Sequence, residues 1–182
     1  MATEAAEAEI GSHAPDFALP GACGQTWSRD DALGANGLLV MFICNHCPYV
    51  QAVLDRIVRD ARELQALGVG VVAISSNDAV AYPEDSFEEM QRLWQAKQLP
   101  FPYLYDADQS VARAYGAVCT PDFFGYNRDL RLQYRGRLDA SGRQPAPADA
   151  KRELRDALLL MAATGQGPAE QVPSIGCSIK WK

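Results

Sequence analysis

The chain lacks any apolar run long enough to cross a bilayer. Its longest, residues 38–44 and 157–163, fall far short of the ~20 residues a spanning helix needs, so no membrane association is expected. The start, Met1-Ala-Thr-Glu-Ala-Ala-Glu-Ala-Glu-Ile10, has neither the basic opening and apolar centre of a secretory leader nor the arginines of a transit peptide. That pattern predicts a cytoplasmic protein. Positive charge is in short supply: 17 Lys and Arg stand against 23 Asp and Glu, a net charge of −6. No basic block is large enough to neutralise a phosphate backbone, which excludes a nucleic-acid partner. Histidine is scarce as well, with His13 and His46 alone. A second closely spaced Cys/His pair is missing, which counts against a four-ligand zinc centre. Repeats, low-complexity tracts and linkers are also absent, so the expected organisation is a loose acidic tail over residues 1–9 and one domain over 10–182.

What the chain does have is an ordinary globular composition, 48% hydrophobic and 22% charged over 182 residues. A core of that size needs neither disulfides nor a metal to hold it. The five cysteines (23, 44, 47, 119 and 177) therefore read as reactive or ligating groups rather than as staples.

Hydrophobic periodicity locates two of them. Leu38-Leu-Val-Met-Phe-Ile43 is a continuous apolar run bounded by Gly37, the pattern of a buried strand. After Cys47 the period becomes helical: Val50, Val53, Leu54, Ile57, Val58, Ala61 and Leu64 share a face, and Gly68 closes it. Pro48 falls in the first turn, where its missing N–H breaks no helical bond. Residues 69–75 give a second buried strand, completing a right-handed βαβ unit. Turn-rich residues 10–36 predict an N-terminal hairpin. A helix with a capping-box start is expected after Asp85-Ser-Phe-Glu-Glu, a short helix over residues 108–115, a hairpin around Asn127-Arg128-Asp129, and a last helix over about residues 148–163.

Cys44-Asn-His-Cys47 thus lies between a buried strand and a helix N-terminus, where partial positive charge and unpaired N–H groups favour a thiolate. Two intervening residues allow one sulfur to resolve a mixed disulfide formed by the other. The pattern assigns Cys44 as the attacking thiol and Cys47 as the resolving one, with the His46 imidazole as a further stabiliser. An isolated C-x-x-C is also a zinc half-site, whereas c-type haem attachment fails because Pro48 stands where that motif requires histidine. Cys119-Thr120-Pro121 supplies a second signal, a proline just before a strand. Cys119 could be a third redox thiol or a buried small hydrophobe, and Cys177 an alternative resolving thiol or an idle one. Cys23 reads as incidental. Arg137 could bring positive charge near a thiolate or serve as a solvated surface residue.

These residues resemble the thioredoxin superfamily and, within it, the peroxiredoxin-like AhpC/TSA or redoxin branch. The opening Gly11-Ser-His-Ala-Pro-Asp-Phe-Ala-Leu-Pro20 is similar to that branch's start. A subgroup with a C-N-H-C-P motif is similar at residues 42–49, 82–86, 115–124 and 173–181. The resemblance implies an α/β thioredoxin fold, a central mixed sheet flanked by helices, with an N-terminal β-hairpin extension and an inserted helix. It also implies a cis Thr120–Pro121 bond facing the dithiol, with the Thr120 backbone free to pair with an extended substrate. Two family features are missing. The peroxidase pattern P-x-x-x-T-x-x-C has Cys44 or Met41 at its threonine position, and no carboxylate lies in strand 38–43 beneath the cysteines.

The function expected is a thiol–disulfide oxidoreductase. Its partners would be a disulfide or oxidised-thiol substrate and a cellular thiol reductant, with no organic cofactor or metal required. A thiol peroxidase using Cys44 or Cys47 is the nearest alternative, and a metal-binding module built from Cys44, Cys47 and His46 is the second.

Overall fold

Strand β4 (Gly37–Phe42) is buried along its whole length, and the reason lies in what covers each face. Leu39 and Met41, with Ile43 just beyond the strand, point into a cluster of 26 buried residues beneath the helices. Leu38, Val40 and Phe42 point the other way, into a cluster of 18. A strand packed on both faces must be apolar at every position, which explains the unbroken run in the sequence.

The computed structural model describes residues 1–182, and its central sheet has five strands. β5 (Val69–Ser75) and β6 (Tyr103–Tyr105) extend it in parallel on one side of β4. β8 (Asp122–Tyr126) and β9 (Leu132–Gly136) extend it antiparallel on the other. The long helix α2 (Pro48–Ala66) crosses from β4 to β5 and buries Val50, Val53, Leu54, Ile57, Ala61 and Leu64, the face its periodicity predicts. α3 (Phe87–Ala96) and α5 (Glu153–Thr164) flank it over the same cluster. On the opposite face, α4 (Ser110–Tyr115) brings Tyr115 edge-on to Phe124 and Tyr126. The expected N-terminal hairpin is formed by β2 (Ala18–Pro20) and β3 (Thr26–Ser28), followed by the one-turn α1 (Arg29–Ala32).

Three expectations are corrected. The N-terminal residues are not a loose tail throughout: β1 (Ala2–Glu4) pairs antiparallel with a C-terminal strand, β10 (Ile175–Ser178). β10 in turn pairs with β7 (Cys119–Thr120), giving a second sheet in the order β1-β10-β7. The last helix starts at Glu153 rather than near residue 148, because the Leu154 N–H donates to Leu138 O and Arg152 is drawn to Asp60 and Glu63. The capping box at Ser86 is half present. Its hydroxyl accepts from Glu89 N at 3.3 Å, but the Glu89 carboxylate pairs with Arg92. No helix is long and apolar enough to cross a membrane.

Candidate active site

Cys47 is the N-cap of α2 and Pro48 its first residue, so Cys44, Asn45 and His46 form the turn that links β4 to the helix. Proline there has the φ a helix start requires and no N–H to waste. Both sulfurs are almost fully covered, Cys44 being 1% and Cys47 0% exposed. Facing them, Thr120 and Pro121 are joined by a cis peptide bond, as the resemblance implies. Thr120 Oγ1 lies 3.5 Å from Cys44 Sγ, and the Thr120 carbonyl oxygen 3.5 Å from Cys47 Sγ. Residues distant in sequence thus converge on one pair of sulfurs.

The electrostatics divide that pair unequally. Cys47 is held below the ordinary thiol range by the Cys44 thiol, the Cys177 thiol, the backbone N–H of Val50 and the Thr120 hydroxyl, against the cost of burial. Cys44 is pushed far up by the proton it shares with Cys47, by burial, and by the negative charge of Asp85. These donors favour a thiolate within the pair, on the Cys47 side of it. The helix begins at Pro48, so Cys47 lies nearer than Cys44 to its N-terminal end.

The sequence reading missed Asp85. It ends a 3₁₀ turn, Pro83–Asp85, and is fully buried. Its Oδ1 accepts from Asn45 N at 2.8 Å and His46 N at 3.3 Å, while Oδ2 accepts from Asn77 Nδ2 at 2.8 Å. His46 Nδ1 lies 2.6 Å from Oδ2, and its ring stacks on Tyr82 at 5.8 Å. The carboxylate absent from strand β4 is thus supplied by the β5–α3 connection. The signal was the Tyr82-Pro-Glu-Asp-Ser86 segment, which reads as a helix start when the partner turn is not in view. Asn45 is fixed as well, accepting from Tyr103 OH at 2.9 Å.

Cys44, His46 and Asp85 each place one ligand atom within 4.8 Å of the others, so they are the group that could hold a metal ion. Both carboxylate oxygens already accept hydrogen bonds from the protein, so Asp85 suits a metal poorly.

The remaining sequence candidates separate. Cys177 is brought in: β10 sets it opposite Thr120, and its side chain packs on the cluster containing Cys44 and Cys47. Cys119 is buried, its thiol aimed at Pro121 O at 4.0 Å and pushed up by burial and then by the charge of Asp122, so it behaves as a small apolar group. Arg137 does not serve the sulfurs; its guanidinium is engaged by Glu153 at 2.9 and 3.0 Å. Cys23 is exposed. The expectation that Thr120 offers a free backbone is corrected too, because β10 already occupies that edge. A buried pair absent from the sequence reading, Arg135–Asp122 at 2.8 Å, lies beneath Phe124.

The AhpC/TSA family model matches residues 10–137. A Coxiella burnetii protein that carries the name peroxiredoxin bcp is 30% identical over 117 residues, 64% of this chain and 72% of its own length. An uncharacterized conserved protein of Geobacillus kaustophilus is 44% identical, with a TM-score of 0.94 over 100% of this chain and 97% of its own. A hypothetical protein of Sinorhizobium meliloti 1021 is 41% identical, with a TM-score of 0.90 over 99% and 98%. Structures of lower identity share the thioredoxin fold alone.

Proposed function

The chain belongs to the AhpC/TSA family of the thioredoxin superfamily, and on that footing we propose that it is a thiol–disulfide oxidoreductase centred on Cys44 and Cys47. The observation that carries this reading is the convergence of two buried sulfurs at the start of α2 on Thr120, with His46 and Asp85 beside Cys44. The thiolate is the nucleophile in disulfide exchange. Cys47 attacks a substrate disulfide, releasing one half as a thiol and keeping the other in a mixed disulfide. Cys44 then attacks the Cys47 sulfur and passes its proton toward the His46–Asp85 pair. The second half of the substrate leaves and the Cys44–Cys47 disulfide closes. A cellular thiol reductant returns the protein to its dithiol state, and a reducing cytoplasm suits its five free cysteines.

Trapping tests the order. With an insulin-type disulfide substrate, Cys44→Ser/Cys177→Ser should accumulate a covalent mixed disulfide at Cys47, while Cys47→Ser/Cys177→Ser should form none. Adducts at Cys44 alone would reverse the assignment, and failure of the wild-type protein to form a Cys44–Cys47 disulfide would remove the reading.

A second reading has its own support in the depressed Cys47 thiolate. As a thiol peroxidase, Cys47 would take one peroxide oxygen to give a sulfenic acid and an alcohol or water. Cys44 would then condense with it, releasing water. The family's threonine position holds Cys44, which leaves the Thr120 hydroxyl to orient a peroxide. Hydrogen-peroxide consumption that persists in Cys44→Ser under added thiol would favour this reading.

A further inference from the structure

The two sulfurs of the dithiol are buried, yet a redox protein must exchange electrons with something outside itself. Cys177 is the part of this thiol cluster that meets solvent. It is half-buried, whereas Cys44 and Cys47 are not exposed. The backbone fixes its position. In the β10–β7 pair Cys177 stands directly opposite Thr120, and the Ile179 N–H donates to Val118 O at 2.9 Å. Gly176 lies so close to Thr120 that a Cβ there would fall 1.9 Å from its carbonyl oxygen. That same carbonyl oxygen is 3.5 Å from Cys47 Sγ. Cys177 thus lies across Thr120 from Cys47, with its side chain packed on the buried cluster that holds both sulfurs.

We propose that Cys177 is a third redox thiol, a relay that carries the disulfide from the buried Cys44–Cys47 pair to the surface for reduction by an external thiol. The inference rests on the dithiol reading above and assigns the route by which that site is recycled. Cys177 sulfur attacks Cys47 in the Cys44–Cys47 disulfide. The Cys47–Cys177 bond forms, the Cys44–Cys47 bond breaks, and the proton lost by Cys177 is taken up by Cys44. A low-molecular-weight thiol of the glutathione class then attacks the more accessible Cys177 sulfur and expels Cys47 as a thiolate. Attack goes to the exposed sulfur, and the low-pKa sulfur is the better leaving group. A second thiol frees Cys177, so two electrons enter and one molecule of external disulfide leaves.

Glutathione is the probe, and the full chain is used throughout. Cys44→Ser, oxidised with diamide, alkylated and digested, should yield a Cys47–Cys177 disulfide-linked peptide pair that is absent from Cys44→Ser/Cys177→Ser. In the protein with Cys44 intact, Cys177→Ser should still form the Cys44–Cys47 disulfide but should be reduced by glutathione about tenfold more slowly than wild type. Cys177→Ala, compared with Cys177→Ser and wild type by circular dichroism, guards against loss of the strand. The relay is overturned if Cys47–Cys177 does not form in Cys44→Ser, or if well-folded Cys177 variants are reduced at the wild-type rate. A wild-type chain that forms no Cys44–Cys47 disulfide would instead refute the dithiol reading.

Discussion

His46 Nδ1 lies 2.6 Å from Oδ2 of Asp85, so the exposed edge of the C-x-x-C turn is tied to a carboxylate with no exposed surface. The contact sets where the resolving proton can go. Asp85→Asn keeps the hydrogen-bond acceptor for Asn45 and His46 N–H but removes the charge. Cys44 should therefore titrate lower than in wild type, since Asp85 is one of the causes holding it up. Loss of a positioned proton acceptor should slow resolution by roughly 10²-fold. Quenched-flow decay of the mixed disulfide measures it; unchanged decay would show that Asp85 is only structural.

The Cys47 thiolate has a signature in pH. Its folded value lies below the ordinary thiol value of about 8.5, so the folded state binds fewer protons than the unfolded chain between those limits. Reduced protein should gain stability as pH rises through that window and lose it as pH falls through the lowered Cys47 value. Above about 8.5 the sign reverses, because Cys44 keeps a proton that the unfolded chain gives up. Thiolate absorbance at 240 nm should titrate with a midpoint below the ordinary thiol value in wild type, and that low-pH step should be lost in Cys47→Ser.

Gly176→Ala tests the cover over the site. The added Cβ would meet the Thr120 carbonyl oxygen at 1.9 Å, and both partners are backbone, so β10 must move. Overpacking of this kind costs about 1–3 kcal/mol. The denaturation midpoint should fall and iodoacetamide should label Cys47 faster; slower or unchanged labelling would mean that β10 does not limit access.

Arg135→Met would leave Asp122 with a buried carboxylate and no partner. Burial already pushes Asp122 up to about 6 even with the guanidinium at 2.8 Å. Removing one member of a buried pair costs about 3–5 kcal/mol, and Arg135→Met/Asp122→Leu should recover most of it. Urea unfolding of the single and double variants measures the difference.

Much of this was legible before any coordinates. The change from an unbroken apolar run to a helical period fixed β4, the turn and α2, and with them the neighbourhood of both cysteines. The parts that were not legible share a physical cause. Strand β10 reads Ile175-Gly-Cys-Ser178, with small residues of weak strand preference, and β1 has three residues; each exists because a neighbouring backbone needs partners. Asp85 looked like a helix opener because its acceptors are used by residues about forty positions earlier. Which of Cys44 and Cys47 lies nearer the first helical N–H groups turns on a helix boundary that hydrophobic periodicity places only to within a few residues.

The sulfurs of Cys44 and Cys47 are members of the same apolar cluster as Met41, Val50 and Leu158. Both are almost fully covered, so the bulk of an attached electrophile must be taken up by the surrounding packing. Covalent labelling of this centre should therefore register as a drop in melting temperature, so a thermal-shift plate can rank thiol-reactive compounds without a substrate or a coupled assay.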